Sequence, residues 1–420
     1  MLTISVTIQL FCVSIYTWSV AKSSQCPGPL PLAYEDEEGS LLPFASSLLF
    51  SPIPILSSPH SKVVIFVNRH IATAALAASA ALCLLGTAAT ANAAVVVPTT
   101  PDSNTVMTPP KEQTHGNSDY VPNNYIQSTL RMDDQVKRRA PKDANDWSCK
   151  PTAEHPNPVI LVHGYASNPY VAWSGLAPFL KDHGFCVFGA AYGTEKNKSL
   201  AGYVPGFDGM GETFTSAMQI GQYVDAVREA TGAKKVDLVS WSQGGLIVDT
   251  YLHYFGGADA KNPAKNKVGQ FVSIAGAHHG STLSGAGAAL AKVSDIPGAE
   301  APLRKVLDDL AGKAAFPMLP NSVLVADMLA RGDTLPGVNY TIISSEYDTM
   351  ITPIENTWMK AVPGATVTNV NLQKGCPNNH SDHHAIVFDP RAWDYTLIGL
   401  GTKGVTPRCV TTHPMIATGF

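Results

Sequence analysis

Short apolar runs alternate with longer helical patterns along the chain from about residue 157 onward. The runs are rich in β-branched residues and have the length of buried strands. The predicted strands are 159–162, 185–191, 236–240, 270–275, 339–344 and 366–372. Helices are predicted at 173–182 and 212–230, the second of which ends before Gly232, a residue suited to a left-handed cap. This order is typical of an α/β protein with a mostly parallel central sheet and helices on both faces.

Residues 282–337 break the alternation. They contain Ala- and Leu-rich helical pieces at 303–310 and 322–330 and no strand pattern. Four prolines interrupt them: Pro297, Pro302, Pro317 and Pro320. The pattern predicts a helical insertion over one end of the sheet. It is either a cap or lid over a site, or an ordinary pair of packing helices.

The first 146 residues have a different character. Residues 71–89 are uncharged and rich in Ala and Leu, follow Arg69, and precede the small-x-small sequence Ala91-Asn92-Ala93. They predict a signal peptide over residues 67–93, cut after Ala93, with a transmembrane helix as the alternative. Residues 1–66 are then a doubtful extension, and we hypothesise that translation starts near Val67. Residues 94–146 are polar and predict a flexible leader.

Four of the seven cysteines follow the predicted cut: Cys149, Cys186, Cys376 and Cys409. Four cysteines allow three pairings, among which the sequence does not choose. We favour Cys149 with Cys186 and Cys376 with Cys409, because each pair closes a local loop, and four buried free thiols are the alternative. An even number of cysteines agrees with export to an oxidising compartment.

The strongest chemical pattern is a strand that runs into a small-x-Ser-x-Gly turn, centred on Ser242, and then into an apolar helix. Such a turn lifts the serine hydroxyl clear of the sheet, so Ser242 is the predicted nucleophile, with a helix cap as the alternative. Another strand ends in His163-Gly164-Tyr165. The backbone amides of Tyr165 and Gln243 are the candidate donors to an oxyanion, and His163 is expected to buttress its loop.

Several further motifs accompany the turn at Ser242. They are Leu161-Val162-His163-Gly164, Ala277-His278-His279-Gly280-Ser281, Tyr347-Asp348, Thr352-Pro353, Cys376-Pro377, Asp382-His383 and Asp389-Pro390. Over residues 157–281 and 347–390, the chain resembles bacterial secreted triacylglycerol lipases of the class 2 group, in the α/β-hydrolase superfamily. It departs from them at Ser240, where glycine is preferred, and at Trp241, where histidine is common. The resemblance implies an α/β-hydrolase domain over residues 147–420.

In this fold the catalytic residues follow the chain order Ser, Asp, His. Asp348 comes shortly after the predicted strand 339–344 and is the candidate carboxylate, with Glu346 as runner-up. Resemblance to the Asp-His pair of the family selects His383 as the base, with His384 second.

A metal site is the alternative for the histidine-rich loop. Asp382 and the three histidines His380, His383 and His384 could instead bind a metal, but their spacing is not an established site pattern. His278 and His279 are expected to shape the pocket beside Ser242.

The patterns and the resemblance together imply a secreted bacterial serine hydrolase that cleaves acylglycerol esters and needs no cofactor. Its expected substrate is a lipid or ester, met at a lipid–water interface. A carboxylesterase, polyester hydrolase or acyltransferase with the same residues is the alternative, and a catalytically silent binding module is the alternative from another class. The net charge of −4 and the absence of a broad basic run argue against nucleic acid as a partner. Acyl-chain preference and oligomeric state are left open.

Overall fold

The computed structural model describes residues 95–117, 120–131 and 140–417. The predicted signal peptide at 67–93 and the extension at 1–66 lie outside the described residues. Within the described part, no helix combines the length and the apolar character that crossing a membrane requires.

All six predicted strands form, and together they build one parallel sheet. Their bounds are β2 Val159–Val162, β3 Val187–Ala190, β5 Val236–Trp241, β6 Val268–Ile274, β7 Asn339–Ser344 and β8 Thr366–Asn371. The strand order is β3-β2-β5-β6-β7-β8, and every neighbouring pair is parallel. Separate apolar clusters cover the two faces of this sheet, as expected for a parallel sheet with helices on both sides.

Helices follow most of these strands. Their bounds are α1 Tyr125–Leu130, α2 Pro169–Trp173, α3 Leu176–Asp182, α4 Thr213–Thr231, α5 Gln243–Tyr254, α6 Ala286–Ser294, α7 Glu300–Ala311, α8 Val323–Arg331 and α9 Pro390–Gly399. Short 3-10 helices occupy Pro110–Glu112, Ala201–Tyr203, Pro263–Lys265, Leu283–Gly285, Phe316–Met318, Ile354–Thr357 and Ala385–Phe388. The predicted helix 173–182 corresponds to α3, which begins at Leu176, and a separate short helix, α2, precedes it. The predicted cap of α4 is present, since Gly232 has φ 79° and accepts the left-handed conformation without strain.

The insertion between β6 and β7 is helical, as the sequence predicted. Helices α6, α7 and α8 lie within residues 282–337, and none of these described residues belongs to a strand. The side chains of Leu303 and Leu307 of α7 pack against Phe316 and Leu319 of the same insertion. The insertion therefore carries a small apolar cluster of its own.

The predicted flexible leader is largely bound to the domain. Strand β1, Thr105–Val106, pairs antiparallel with β4, Thr194–Glu195. The side chain of Gln113 donates to the carbonyl of Ala191 and accepts from its amide, at 3.1 and 2.9 Å. The polar side chains whose abundance predicted flexibility instead make long-range hydrogen bonds here. Composition alone does not reveal such partners.

The favoured cysteine pairing is confirmed. The structure has disulfides between Cys149 and Cys186 and between Cys376 and Cys409. The first joins the segment before β2 to the residue before β3. The second joins the loop after β8 to the segment that follows α9.

Candidate active site

Ser242 occupies a sharp turn between β5 and α5. Its φ of 56° and ψ of −128° are unfavourable for a residue with a side chain, so neighbouring groups must hold the backbone there. Its amide donates to the carbonyl of Ile274 at 3.0 Å. Its carbonyl accepts from the amides of Gly245 and Ala277, at 2.9 and 3.0 Å. The backbone of Ser242 is thus held by hydrogen bonds from two sides. One side is the helix α5, and the other is the end of β6 with the loop that follows it.

Two glycines allow the turn to approach β2 closely. A Cβ atom on Gly244 would lie 2.5 Å from the carbonyl oxygen of Val162, and one on Gly164 would lie 2.9 Å from the Cβ atom of Ser242. Atoms cannot approach so closely without displacing the backbone. The small residue two positions after the serine is therefore a steric requirement of this turn.

The structure brings the predicted nucleophile, base and carboxylate together. His383 Nε2 lies 2.8 Å from Ser242 Oγ, and His383 Nδ1 lies 2.7 Å from Asp348 Oδ2. Asp348 Oδ1 accepts from the amides of Met350 and Ile351, at 2.7 and 2.9 Å. Both carboxylate oxygens are therefore engaged, and the imidazole bridges the carboxylate and the hydroxyl.

The topology of the sheet explains this convergence. Ser242 follows β5, Asp348 follows β7, and His383 lies in the loop after β8. Parallel strands present their carboxyl ends at one edge of a sheet, so residues far apart in the sequence meet there. His383 and Asp348 are only 2% and 6% exposed, whereas Ser242 is partly exposed. The reactive hydroxyl is thus the accessible end of a buried array.

The runner-up residues have other partners. The carboxylate of Glu346 accepts from Asn371 Nδ2 at 2.6 Å. The ring of His384 packs 4.7 Å from the ring of Tyr125, and burial together with the neighbouring His383 lowers the pKa of His384 to about 4. The ring of His380 lies 4.9 Å from the ring of Tyr347.

His163 is part of its own loop. Its Nδ1 lies 2.8 Å from the carbonyl oxygen of Gly164, and its ring stacks on Tyr192 at 4.4 Å. The hydroxyl of Tyr192 donates to the His163 carbonyl at 2.7 Å. These contacts fit the buttressing role that the sequence predicted.

The two candidate oxyanion donors flank Ser242. Gln243 is the first residue of α5, where amides have no partner within the helix, and Tyr165 follows Gly164, whose Cα lies against the serine. The side chain of Tyr165 points away to the insertion, where its hydroxyl donates to the carbonyl of Ala311 at 2.5 Å. Burial raises the pKa of this hydroxyl well above its usual value. The loop with the Tyr165 amide is thereby attached to the end of α7.

Sequence reasoning missed two residues at this site. Trp241 Nε1 donates to the carbonyl oxygen of His383 at 2.9 Å, and its ring lies 5.4 Å from the imidazole. Tyr125 of α1 packs edge-on against Trp241, at 5.7 Å. The position of Trp241 beside Ser242 was a usable signal. Tyr125 had none, because it lies in a polar segment distant in the chain.

A metal centre was one alternative for the histidine loop. Among residues 95–117, 120–131 and 140–417, no group of three or more His, Cys, Asp or Glu side chains could hold a metal ion.

A serine on a strand–turn–helix elbow, joined through histidine to a carboxylate at the carboxyl edge of a parallel sheet, defines an α/β-hydrolase. The family model described as Lipase (class 2) matches residues 156–392, which is more than half of the chain. The chain therefore belongs to the class 2 lipase family.

Two curated relatives are similar over a shorter stretch. A triacylglycerol lipase of Pseudarthrobacter phenanthrenivorans is 40% identical over 96 residues, which are 21% of this chain and 26% of that protein. A triacylglycerol lipase of Burkholderia plantarii is also 40% identical over 96 residues, covering 21% of this chain and 23% of that protein. The alignments thus span about a quarter of the length of these relatives.

Solved structures show more distant similarity. Aspergillus fumigatus lipase B is 16% identical with a TM-score of 0.44, and the match covers 64% of this chain and 56% of that one. The mature form of Bacillus licheniformis lipase BlEst2 is 16% identical with a TM-score of 0.36, covering 56% of this chain and 88% of that one.

Proposed function

We propose that the protein hydrolyses carboxylic esters of acylglycerols through an acyl-enzyme formed on Ser242. The observation that carries the proposal is the continuous array from Ser242 Oγ through His383 to Asp348, with adjacent contacts of 2.8 and 2.7 Å. Membership of the class 2 lipase family supports ester hydrolysis, and the relatives named as triacylglycerol lipases support acylglycerols as substrates.

In the proposed reaction, Ser242 Oγ attacks the ester carbonyl while His383 Nε2 accepts the hydroxyl proton. Asp348 holds the Nδ1–H tautomer and stabilises the imidazolium that forms. The amides of Gln243 and Tyr165 donate to the oxyanion. His383 then returns the proton to the leaving alcohol. Water, deprotonated by the same imidazole, then attacks the acyl-enzyme. The bond from the acyl carbon to Ser242 Oγ breaks, His383 returns the proton to Oγ, and the fatty acid is released.

The test is hydrolysis of aryl esters of increasing chain length and of emulsified triacylglycerol, with the wild type and Ser242→Ala. We expect wild-type cleavage of long-chain esters and a loss of kcat of about 10⁴-fold or more in Ser242→Ala. Ser294→Ala is the matched control, because this serine lies in the insertion and its hydroxyl donates to Ala291.

Several results would contradict the proposal. Full activity of Ser242→Ala would exclude the serine mechanism. Cleavage of short soluble esters alone would indicate a carboxylesterase, and acyl transfer to an added alcohol in preference to water would indicate an acyltransferase.

We also propose that the protein is secreted after cleavage behind Ala93. The two disulfides agree with an oxidising compartment. Amino-terminal sequencing of the protein from culture medium should begin at Ala94. A protein retained in the membrane fraction with residues 67–93 attached would contradict this.

A further inference from the structure

A second array of serine, histidine and aspartate lies beneath the turn at Ser242. His278 Nδ1 lies 2.6 Å from Asp249 Oδ2, and His278 Nε2 lies 2.8 Å from Ser273 Oγ. Ser240 Oγ donates to Ser273 Oγ at 3.2 Å. We call these four residues the buried relay. All four are at most 3% exposed, so no ester can reach them and the relay is not a second catalytic centre.

The hydrogen-bond donors and acceptors of the relay form a single directed chain. Ser240 donates to a lone pair of Ser273 Oγ, and the single hydroxyl proton of Ser273 is available to His278 Nε2. His278 Nδ1–H is then free to donate to the Asp249 carboxylate. Each hydroxyl and ring nitrogen in the chain has a partner, so removing one member leaves a buried polar group without its hydrogen bond.

The relay connects the elements that hold Ser242. Ser240 lies on β5, Ser273 on β6, and His278 in the loop after β6, while Asp249 lies on α5. The β6 end and its loop supply both the acceptor for the Ser242 amide and the Ala277 amide that donates to the Ser242 carbonyl. His278 directly follows Ala277. Its bond to Asp249 therefore ties the loop to the helix on the other side of the strained serine.

Nearby glycines leave the space that the imidazole fills. A Cβ atom on Gly276 would lie 2.5 Å from His278 Nε2 and 2.2 Å from Ser273 Oγ. A Cβ atom on Gly245 would lie 3.0 Å from His278 Cε1. The imidazole is thus enclosed between the helix and the loop, in one orientation.

We propose that His278, with Asp249 and Ser273, is a positioning residue that holds the backbone of Ser242 in its reactive conformation. The relay also gives a partner to the hydroxyl of Ser240, the residue at which the chain departs from the glycine of its family. This inference rests on the proposed ester hydrolysis by Ser242.

The test compares His278→Gln and His278→Asn in the full chain. The Gln amide reaches toward the position of Nε2 and loses the bond to Asp249, whereas the Asn amide occupies the position of Nδ1 and keeps a donor to Asp249. We expect His278→Gln to lower kcat on a soluble aryl ester by about 10- to 100-fold, because small displacements of a nucleophile have effects of this size. KM should change less than about twofold. His278→Asn keeps a donor to Asp249 but loses the contact to Ser273, so it should recover part of kcat.

His155→Gln is the matched control. His155 is buried and its ring packs 3.8 Å from the ring of Phe185, ahead of β2 and β3, so this variant also removes a buried imidazole, at the end of the sheet away from Ser242 and the relay. We expect its kcat to stay within about twofold of the wild type. Titration of reactive Ser242 with an organophosphate, together with thermal unfolding, corrects each kcat for the folded fraction.

Ser273→Ala replaces His278→Gln in the test if the latter does not fold. It removes only the middle hydroxyl of the relay and is also expected to lower kcat. Unchanged kcat per reactive serine in both His278→Gln and Ser273→Ala would overturn the inference. An equal loss in His155→Gln would overturn it as well. A wild type that hydrolyses no ester would instead refute the proposed function, so the two failures are distinguishable.

Discussion

At the scale of single residues, Trp241 joins the proposed nucleophile, Ser242, to the proposed base, His383. It immediately precedes Ser242, yet its indole N–H donates to the carbonyl of His383, 142 positions along the chain. The ring is almost fully buried against Gly164 and the imidazole. The position that varies in the nucleophile motif therefore fixes the backbone of the base in this chain.

We predict that Trp241→Phe lowers both stability and kcat. The variant keeps an aromatic ring but leaves the His383 carbonyl without its donor, at a cost of about 1–3 kcal/mol. Denaturant unfolding measures the stability and aryl-ester hydrolysis measures kcat.

Trp393→Phe is the matched control for that prediction. Trp393 makes the same kind of bond, at 2.9 Å, to the carbonyl of Val387, which lies in the 3-10 helix that precedes α9. It should lose stability with little change in kcat. If both variants lose kcat equally, loss of any indole–carbonyl bond near residues 383–387 lowers kcat, and the bond from Trp241 has no particular effect on His383.

Local sequence context was sufficient for some site residues and insufficient for others. Ser242 and Asp348 were predictable because Ser242 directly follows β5 and Asp348 lies four residues after β7, and both strands have a recognisable hydrophobic pattern. His383 needed the family resemblance, since three histidines lie within five positions. The roles of Trp241 and His278 depend on partners that are fixed only when the sheet has assembled.

At the scale of elements, the segment before the first long strand fastens the insertion to the domain. We call residues 95–107 the N-terminal strap. Asp102 accepts from Lys313 Nζ at 3.0 Å, just beyond α7, while its amide donates to Thr215 Oγ1 of α4 at 2.7 Å. Thr105 donates to Asp102 at 2.8 Å and pairs with β4. The strap therefore links the insertion to α4 and to β4.

Ionisation of Asp102 controls this link. Partial burial of the carboxylate raises its pKa, but hydrogen bonds from Lys313 and Thr105 outweigh burial and lower it overall. A carboxyl with a lowered pKa in the folded state adds stability above its ordinary pKa, about 4. That contribution is lost as the pH falls through the lowered value, so the strap weakens in acid.

We predict that Lys313→Met loosens the insertion and leaves the sheet intact. Amide hydrogen exchange over residues 300–318 should accelerate by up to about fivefold, the equivalent of a partly exposed ion pair worth about 1 kcal/mol. Exchange in β5 and β6 should not change.

Lys305→Met tests whether the effect belongs to the strap. Lys305 pairs with Asp309 at 2.9 Å on the exposed side of α7, within the helix itself. Its replacement should change exchange over 300–318 less than about twofold. Equal acceleration in the two variants would show that charge on α7, and not its link to Asp102, determines the result.

Elements with a hydrophobic period were predicted well, and elements without one were not. The strands of the sheet were found within a few residues because their buried faces are encoded locally in apolar runs. The strap, β1 and α1 were missed, since they are held by polar contacts to distant residues. The helices of the insertion were also predictable from their pattern. Their pattern does not encode motion, so the role of the insertion as a lid stays a prediction.

At the scale of the whole molecule, the two disulfides have different relations to the site. Cys376–Cys409 fixes the segment that follows α9 beside the loop of the base. There, Thr412 Oγ1 accepts from the His380 amide at 2.7 Å, and the Met415 amide donates to Asp382 at 3.0 Å. Cys149–Cys186 lies at the start of β3, at the opposite end of the strand from the catalytic edge.

We predict that removing either disulfide by paired Cys→Ser replacement costs about 3–4 kcal/mol of stability. The two bridges span 37 and 33 positions, so their effects on the entropy of the unfolded chain are nearly equal. Only loss of Cys376–Cys409 should also lower kcat, by releasing the segment that supports His383. Each pair is the control for the other, in unfolding and aryl-ester assays. Equal kcat in the two variants would contradict the argument.

The separation of Ser242 from His383 by 141 positions also sets when the molecule becomes reactive during synthesis. A ribosome adds residues in order, at roughly 5–20 per second, so the nucleophile exists for about 7 to 28 seconds before its base has been made. Throughout that interval the growing chain carries Ser242 without its proposed proton acceptor, so we expect the unfinished chain to hydrolyse no ester.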